Sequence, residues 1–352
     1  VNVSFKDKKM KRAIVYICFA AVVAIAAGLT ANAQSGGYHL LKKIEIGGDG
    51  GWDYLIADSD DHRLYVSRST RVLVIDTESG NKIGEIPNTN GVHGIAIAKD
   101  LGRGFTSNGR DNSVSIFDLK TLKVIDTVAT GKNPDAIIYD EASKKVFAFN
   151  GAGGSATAID AATGKAAGTI ELGGKPEFAA ADGKGEVFVN IEDKSEVVVI
   201  DTAALKVKAR WSIAPGEEAS GMAIDRKTKR LFLVCSNKKM IVLDDISGKV
   251  VADVPIGDGP DAAGFDPETK FAFSSDGAGT LTVVKEDNGS KFTVVENVAT
   301  QKGARTMALD AKTHRIYLPA AQYEPAAAAT PDNPRPRPKM VPNSFVILVY
   351  GK

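Results

Sequence analysis

Val72-Leu-Val-Ile-Asp76, Val114-Ser-Ile-Phe-Asp118, Ala156-Thr-Ala-Ile-Asp160, Val197-Val-Val-Ile-Asp201 and Met240-Ile-Val-Leu-Asp244 are five copies of one phrase, an apolar run closing on an acid. A sixth copy, Leu281-Thr-Val-Val-Lys285, keeps the run and loses the acid. Successive copies end 42, 42, 41, 43 and 41 residues apart. A seventh, Val346-Ile-Leu-Val-Tyr350, lies 65 residues beyond Lys285, and the excess matches the 23 residues of a Pro-rich stretch, Ala321 to Asn343. Seven units of about 42 residues fill the chain from Asp53 to Lys352, and repetition at this period means a propeller or a solenoid.

The second unit, His93 to Asn133, shows what is repeated. Gly94-Ile-Ala-Ile-Ala98 and Arg103-Gly-Phe-Thr-Ser107 are short β-rich runs separated by Lys99-Asp-Leu-Gly102. Ser113 to Phe117 and Lys123 to Val128 are two more, with turn residues between them. Four strands per unit is the pattern of a propeller blade, and no segment from residue 34 onward carries a helical period. The expected fold is all-β: a seven-bladed β-propeller of four-stranded antiparallel blades. The last unit stops after its third strand, and the missing fourth is found at the other end. Leu41-Lys-Lys-Ile-Glu-Ile46 resembles the fourth strands Val250 to Ile256 and Ala167 to Leu172, so residues 40 to 47 are expected to pair with residues 344 to 350 and close the ring.

The second strands carry a family likeness. Leu64-Tyr-Val-Ser-Arg68, Gly104-Phe-Thr-Ser-Asn108, Val146-Phe-Ala-Phe-Asn150 and Leu231-Phe-Leu-Val-Cys235 stand where the YVTN β-propeller repeat family carries the sequence that names it. The Val-Ile-Asp-Thr, Gly-Lys and Gly-x-x-Pro-Asp elements that follow also resemble that family, over residues 40 to 352. The whole chain is similar to its YncE-like exported members. The resemblance implies a seven-bladed propeller outside the cytoplasm, and leaves activity open because fold does not fix function. No unit here reads Tyr-Val-Thr-Asn, and the Trp-Asp of WD40 blades is absent from the third-strand ends.

With 352 residues, 43% hydrophobic and 25% charged, the chain has the composition of an ordinary globular protein. Lys8, Lys9, Lys11 and Arg12 precede the apolar run Ala13 to Leu29, which ends in Ala31-Asn32-Ala33. This is the pattern of a signal peptide over residues 1 to 33, with Met10 a candidate true start and the mature chain running from 34 to 352. A membrane-spanning helix is the competing reading of the same run, which is close to the shortest that can span. After cleavage no span would remain. The mature chain would carry 39 bases and 42 acids, giving no global pull toward nucleic acid or anionic lipid. Cys235 would be its one cysteine, so an internal disulfide is excluded. A periplasmic or secreted monomer is expected.

The recurring Asp invites a functional reading, but its place argues for structure. At a third-strand end its side-chain oxygen can accept from the amides of the next turn, and Gly80, Gly164, Gly248 and Gly289 supply the positive φ such a turn needs. A stronger candidate site comes from the first positions of the inner strands: Asp53, His93, Asp135, Glu177, Ser220, Asp261 and Arg305. Blade geometry gathers these seven at one mouth of the central channel, beside Trp52, where they would bind a polar ligand. If a divalent cation is taken there, Asp53, His93, Asp135, Glu177 and Asp261 are its candidate ligands. The bland alternative is that Asp135 and Asp261, each after a proline, are turn residues and the others simply solvated. His39, His62 and His314 show no metal-ligand spacing, and there is no nucleophile elbow, phosphate loop or cofactor-docking motif.

The insert, residues 321 to 343, joins the second and third strands of the last blade and is expected on the same face as the rim. Six prolines favour extended structure, and Arg335, Arg337 and Lys339 make it basic. With Tyr323 it would form a lid or a partner-binding strip; the alternative is a passive surface loop. The primary expectation is a non-catalytic exported propeller that binds a ligand or protein partner through rim and insert, with no cofactor unless a divalent cation. A metal-assisted hydrolase, lactonase-like, is the second reading. Binding of single-stranded DNA through Arg68, Arg71, Arg110, Lys238 and Lys239, with Trp52 and Tyr323 stacking on bases, is the third. A quinone-dependent dehydrogenase stands behind these.

Overall fold

A computed structural model describes residues 36–326, 336 and 338–352. The expected signal segment lies outside the described residues, as do Arg335 and Arg337. From Tyr38 to Lys352 the chain forms one compact unit of seven four-stranded antiparallel sheets. Blade 1 comprises Leu55–Asp58, Arg63–Arg68, Arg71–Asp76 and Lys82–Pro87. Blades 2 to 6 repeat this order, with inner strands Val92–Ala98, Pro134–Asp140, Pro176–Ala181, Ala219–Asp225 and Pro260–Asp266. Two short 3-10 turns, Lys99–Leu101 and Glu192–Lys194, are the only helical segments among the described residues.

Blade 7 is built from both ends of this unit. Ala308–Asp310, Arg315–Ala320 and Val346–Gly351 supply three strands, and His39–Glu45 the fourth. His39 faces Gly351 and Glu45 faces Val346, with one register shift between Leu40 and Lys42. The amides of Ile46 and Gly47 then both donate to the Phe345 carbonyl and fasten the end of the seam. The closure read from the repeat is therefore present, with strand bounds that differ from the expected residues 40 to 47 and 344 to 350 by one or two residues at each end.

Burial explains why the third-strand runs are continuously apolar. Second and third strands lie inside a blade and between blades, so both of their faces are covered; Val72 to Ile75 and Val197 to Ile200 are all buried. Outer strands alternate instead, as Lys206–Ser212 does along its whole length. Seven hydrophobic clusters among the described residues fill the spaces between consecutive blades. Tyr65 and Val74 of blade 1 meet Ile95 and Phe117 of blade 2, for example. Across the seam, Ile44, Tyr317 and Ile347 of blade 7 meet Leu64 and Val66 of blade 1, so ring closure is made by packing as well as by strand pairing.

The recurring Asp has the structural role its position implies. Asp76 Oδ1 accepts from the amide and hydroxyl of Ser79, and Asp118 and Asp160 do the same with Thr121 and Thr163. Asp201 and Asp244 cap their turns likewise. These backbone and hydroxyl donors hold the carboxyls of Asp76, Asp118 and Asp160 below the usual carboxylate range. Gly80, Gly164 and Gly248 adopt positive φ as the turn requires.

A second acidic set, not apparent from the repeat phrase, closes the inner strands. Asp58, Asp140, Asp182, Asp225, Asp266 and Asp310 are buried at or just beyond the ends of those strands. Each accepts from amides two to four residues ahead, as Asp140 does from Ala142 and Ser143. Blades 1, 3, 4 and 5 thus commit two acids each to turns, at the C-terminal ends of the first and third strands and so along the same edge of the blade.

Candidate functional site

The rim begins where the inner strands begin, and the second strands hold it in place. The polar residue next to last in several second strands bonds to the rim backbone of its own or the next blade. Asp53 N donates to Ser67 Oγ, and Ser107 Oγ donates to the Asp135 carbonyl. Asn190 Nδ2 donates to the Ser220 carbonyl at 2.8 Å, and Ser275 Oγ donates to the carbonyl of Arg305. Thr306 closes the circle by donating to the carbonyl of Asp53 at 2.9 Å. This gives a physical reason for the polar end of the second-strand sequence: it fixes backbone at the channel mouth.

Three of the seven rim side chains come together tightly. His93 Nδ1 lies 2.6 Å from Asp53 Oδ2 and 3.6 Å from Asp135 Oδ1. One donor atom from each of these residues falls within 4.8 Å of the others, a spacing at which a metal ion could be shared. All three side chains are about one-fifth to one-quarter exposed, so the group is neither dry nor fully solvated. Burial works against a charged ring at His93, but the hydrogen bond to Asp53 and the charges of Asp135 and Asp53 outweigh it and raise its pKa. Burial pushes Asp135 up to about 6, although the neighbouring imidazole pulls the other way.

The remaining rim residues form smaller groups. Glu177 is pushed up to about 7, first by burial and next by the charge of Asp135, even though Lys175 lies 2.7 Å away. Lys175 is shared with Glu192. Asp261 is pushed up to about 6 by burial, with Arg305 at 3.3 Å drawing it back. Ser220 turns its hydroxyl to the Pro260 carbonyl at 3.2 Å and so ties blade 5 to blade 6 instead of facing a ligand. The net result is a mouth with more carboxylates than cations, three of them raised to about 6 or 7 chiefly by burial.

Two aromatic residues that sequence reasoning missed stand directly below this rim. Tyr54 follows Asp53 and Phe178 follows Glu177, and their rings meet across the channel with centroids 5.0 Å apart. Tyr54 is 5% exposed, and burial together with the charges of Asp261, Asp53, Asp135 and Glu177 drives its pKa well up. The signal available was an aromatic at the second inner-strand position in two blades only. Arg110, assigned to the nucleic-acid strip, instead lines a cavity of about 390 Å³ with Trp52, Asp53, His93 and Asn133.

The insert is anchored next to this cavity. Its two arms pair at their base, where Tyr323 faces Met340, Glu324 N donates to the Lys339 carbonyl and Val341 N to that of Gln322. Trp52 packs on Phe345 at 4.9 Å and lies 6.4 Å from the Tyr323 ring, so one face of the indole is taken by the fold. Lys339 is exposed. The bases grouped as a nucleic-acid strip are not all available to phosphate. Arg68 is fully buried over Phe345, and its guanidinium donates to the carbonyls of Gly47, Gly48, Asp49 and Gly50. Lys238 pairs with Asp258 and Lys239 with Asp253.

A ring of seven four-stranded blades around a channel is a seven-bladed β-propeller, and comparison with known proteins agrees. No family model matches the chain. Over 147 residues, 38% of this chain, it is 24% identical to the uncharacterized protein YncE of Escherichia coli, in both the O157:H7 and K12 strains. That alignment covers 41% of YncE, so the chain spans about two fifths of the length of the curated relatives it matches. Together with the seven blades, this weak likeness supports a YncE-like propeller family, as the second strands imply. Among solved structures, U3-55K superposes with a TM-score of 0.72 at 10% identity, over 89% of this chain and 98% of that one. A chain of hydrazine synthase from Kuenenia stuttgartiensis gives 0.66 at 17% identity, over 80% and 96%. At such identities these likenesses show the fold alone.

Proposed function

We propose that this protein is an exported binding propeller whose channel mouth takes a cationic ligand, a divalent ion or a compact organic cation, and holds it without transforming it. The observation that carries this reading is the Asp53, His93 and Asp135 group, with separations of 2.6 and 3.6 Å, beside carboxyls pushed up to about 6 and 7. Burial disfavours the charged form of these carboxyls, and an arriving cation offsets that cost by stabilising the carboxylates and lowering their pKa. Arg110 at the wall of the same cavity suits a ligand that carries an anionic group as well. The insert, anchored by Tyr323 against Trp52, serves as lid or partner strip, with Arg335, Arg337 and Lys339 contributing charge.

Calorimetric titration of the mature chain with calcium, manganese, zinc and an organic ammonium at pH 7.5 tests the proposal. One site with proton release is expected, weakened at least tenfold in Asp135→Asn and His93→Ala. No binding by any of these cations at millimolar concentration would overturn it.

Glu177 favours a second reading. A carboxyl at about 7, electrostatically linked to Asp135 and His93, has the protonation behaviour of a general acid or base beside a metal-bound water. On that reading the metal-loaded protein hydrolyses a lactone or related ester. Turnover abolished by Glu177→Gln with cation binding retained would select it; a metal-loaded protein inert toward a lactone panel leaves the binding role. Mass spectrometry of protein recovered from its native compartment, with Gln34 as the expected first residue, tests export.

A further inference from the structure

The channel is divided. Tyr54 of blade 1 and Phe178 of blade 4 bar it just below the acidic rim, and on the far side of this pair lies a separate bore of about 390 Å³. Its wall is apolar, with Ile56, Ile97, Ile138, Met222, Ile224 and Phe265 among the lining residues. That volume lies within the range of small-molecule sites, and the lining is of the kind such sites use.

One cation stands at this bore. Arg226 follows directly on the inner strand Ala219–Asp225, at the opposite end from the rim residue Ser220. Its Nε donates to the Ala181 carbonyl at 3.0 Å, which fixes the plane of the guanidinium. Among the described residues the two terminal amino groups find no hydrogen-bond partner, and no carboxylate forms an ion pair with Arg226.

Several acids of that face are already taken. Asp225 accepts from Lys227 N and the Thr228 hydroxyl and faces Lys270, Asp182 accepts from Lys184 N and Glu186 N, and Asp266 faces His314. Asp58 and Asp140 are likewise turned to their own turns. Tyr139, also on the wall, donates its hydroxyl to Asp100 at 3.0 Å. An apolar tube with an oriented, carboxylate-free guanidinium at its end is complementary to an apolar molecule with an anionic head, because a guanidinium fork binds a carboxylate through two parallel hydrogen bonds.

We propose that this bore is a second binding site, distinct from the rim, that takes a small hydrophobic carboxylate with its tail among the isoleucines and its head on Arg226. The site is independent of the cation reading, since the Tyr54 and Phe178 rings separate the two spaces. The class of ligand is a medium-chain fatty acid or an aryl-alkyl carboxylate. A primary amine of the same length would bring its charge against Arg226, and an alcohol would forgo the charge-assisted pair.

The test uses the mature chain with octanoate as probe and 1-octanol and octylamine as controls, by calorimetry at pH 7.5. One octanoate per chain is expected, with octanol at least tenfold weaker and octylamine weaker still. Arg226→Gln should weaken octanoate at least tenfold and leave octanol unchanged. Ile224→Trp, which fills the bore from a half-buried wall position, should abolish both, and melting curves for each variant establish that the ring is intact. Asp135→Asn should leave octanoate binding unaltered, which separates failure here from failure at the rim. Octanol binding as tightly as octanoate, an unchanged affinity in Arg226→Gln, or no octanoate bound at millimolar concentration would each overturn the proposal.

Discussion

Asp135→Asn should make the protein more stable, and only above a definite pH. The carboxyl of Asp135 stands at about 6 in the folded chain, against 3.8 for an unperturbed aspartate, and burial is the leading cause. Folded Asp135 therefore holds its proton more tightly than unfolded Asp135. Below about pH 4 both states are protonated and the residue costs nothing. As the pH rises from 4 through 6 the unfolded chain loses its proton first, so stability falls, and the cost is complete above about 7. A gap of roughly two units corresponds to about 3 kcal/mol, at about 1.4 kcal/mol per unit. Asparagine keeps the shape without the charge and removes most of that cost, but it also deprives the His93 ring of a carboxylate neighbour at 3.6 Å, so a net gain of about 2 kcal/mol is expected. For a ring of this size that is a rise of roughly 3 °C in melting temperature. The assay is a set of paired thermal melts of wild type and variant from pH 4.5 to 8.5 in the absence of added divalent ions. The gain should be present at pH 8 and vanish toward pH 4.5. A variant less stable than wild type at pH 8, or an offset constant with pH, would refute the account of the rim as electrostatically uncompensated.

Four further outcomes follow from the same geometry. Arg68→Ala removes a fully buried guanidinium that satisfies carbonyls from Gly47 to Gly50 and covers Phe345; it should cost about 3–5 kcal/mol in chemical denaturation. Arg68→Gln should not alter retention on single-stranded DNA, because the side chain is not available to phosphate. Ile44→Ala empties the seam between blades 7 and 1, where Ile44 is 4% exposed, and should cost about 2–4 kcal/mol. Asp160→Ala deletes the acceptor for Thr163, and a loss of about 1–2 kcal/mol with no change in cation or octanoate binding would separate turn acids from rim acids.

Much of the scaffold was legible because a repeat states the same physics seven times. The apolar run of each third strand reports burial on both faces, and the missing last strand could be sought at the other end because its alternation matched Val250 to Ile256. The rim was legible as a register: aligning the inner strands picked out Asp53, His93 and Asp135, and the fold brings those three into contact. Register alone could not say which rim side chains face the channel, so Ser220 was grouped with them although its hydroxyl serves Pro260. Features that occur once were invisible for the same reason. Tyr54 and Phe178 meet only because blades 1 and 4 stand across the ring from each other. Arg68 reads as a surface base until the turn from Gly47 to Gly50 is seen to fold over it. The buried acids closing the inner strands escaped notice because the residues after them vary while the backbone turn they hold does not.

The seam in blade 7 also settles how the ring responds to force. His39 lies opposite Gly351, so chain entering the first strand and chain leaving the last depart from the same end of an antiparallel pair. Tension between Tyr38 and Lys352 would load that pair one rung at a time, beginning at His39 and Gly351 and running toward Glu45 and Val346. A pair pulled in this direction unzips at low force, whereas strands drawn along their length must break several hydrogen bonds together. The molecule is thus a clasp, firm against thermal opening through its buried Ile44 and Ile347 and weak against a pull at its two ends.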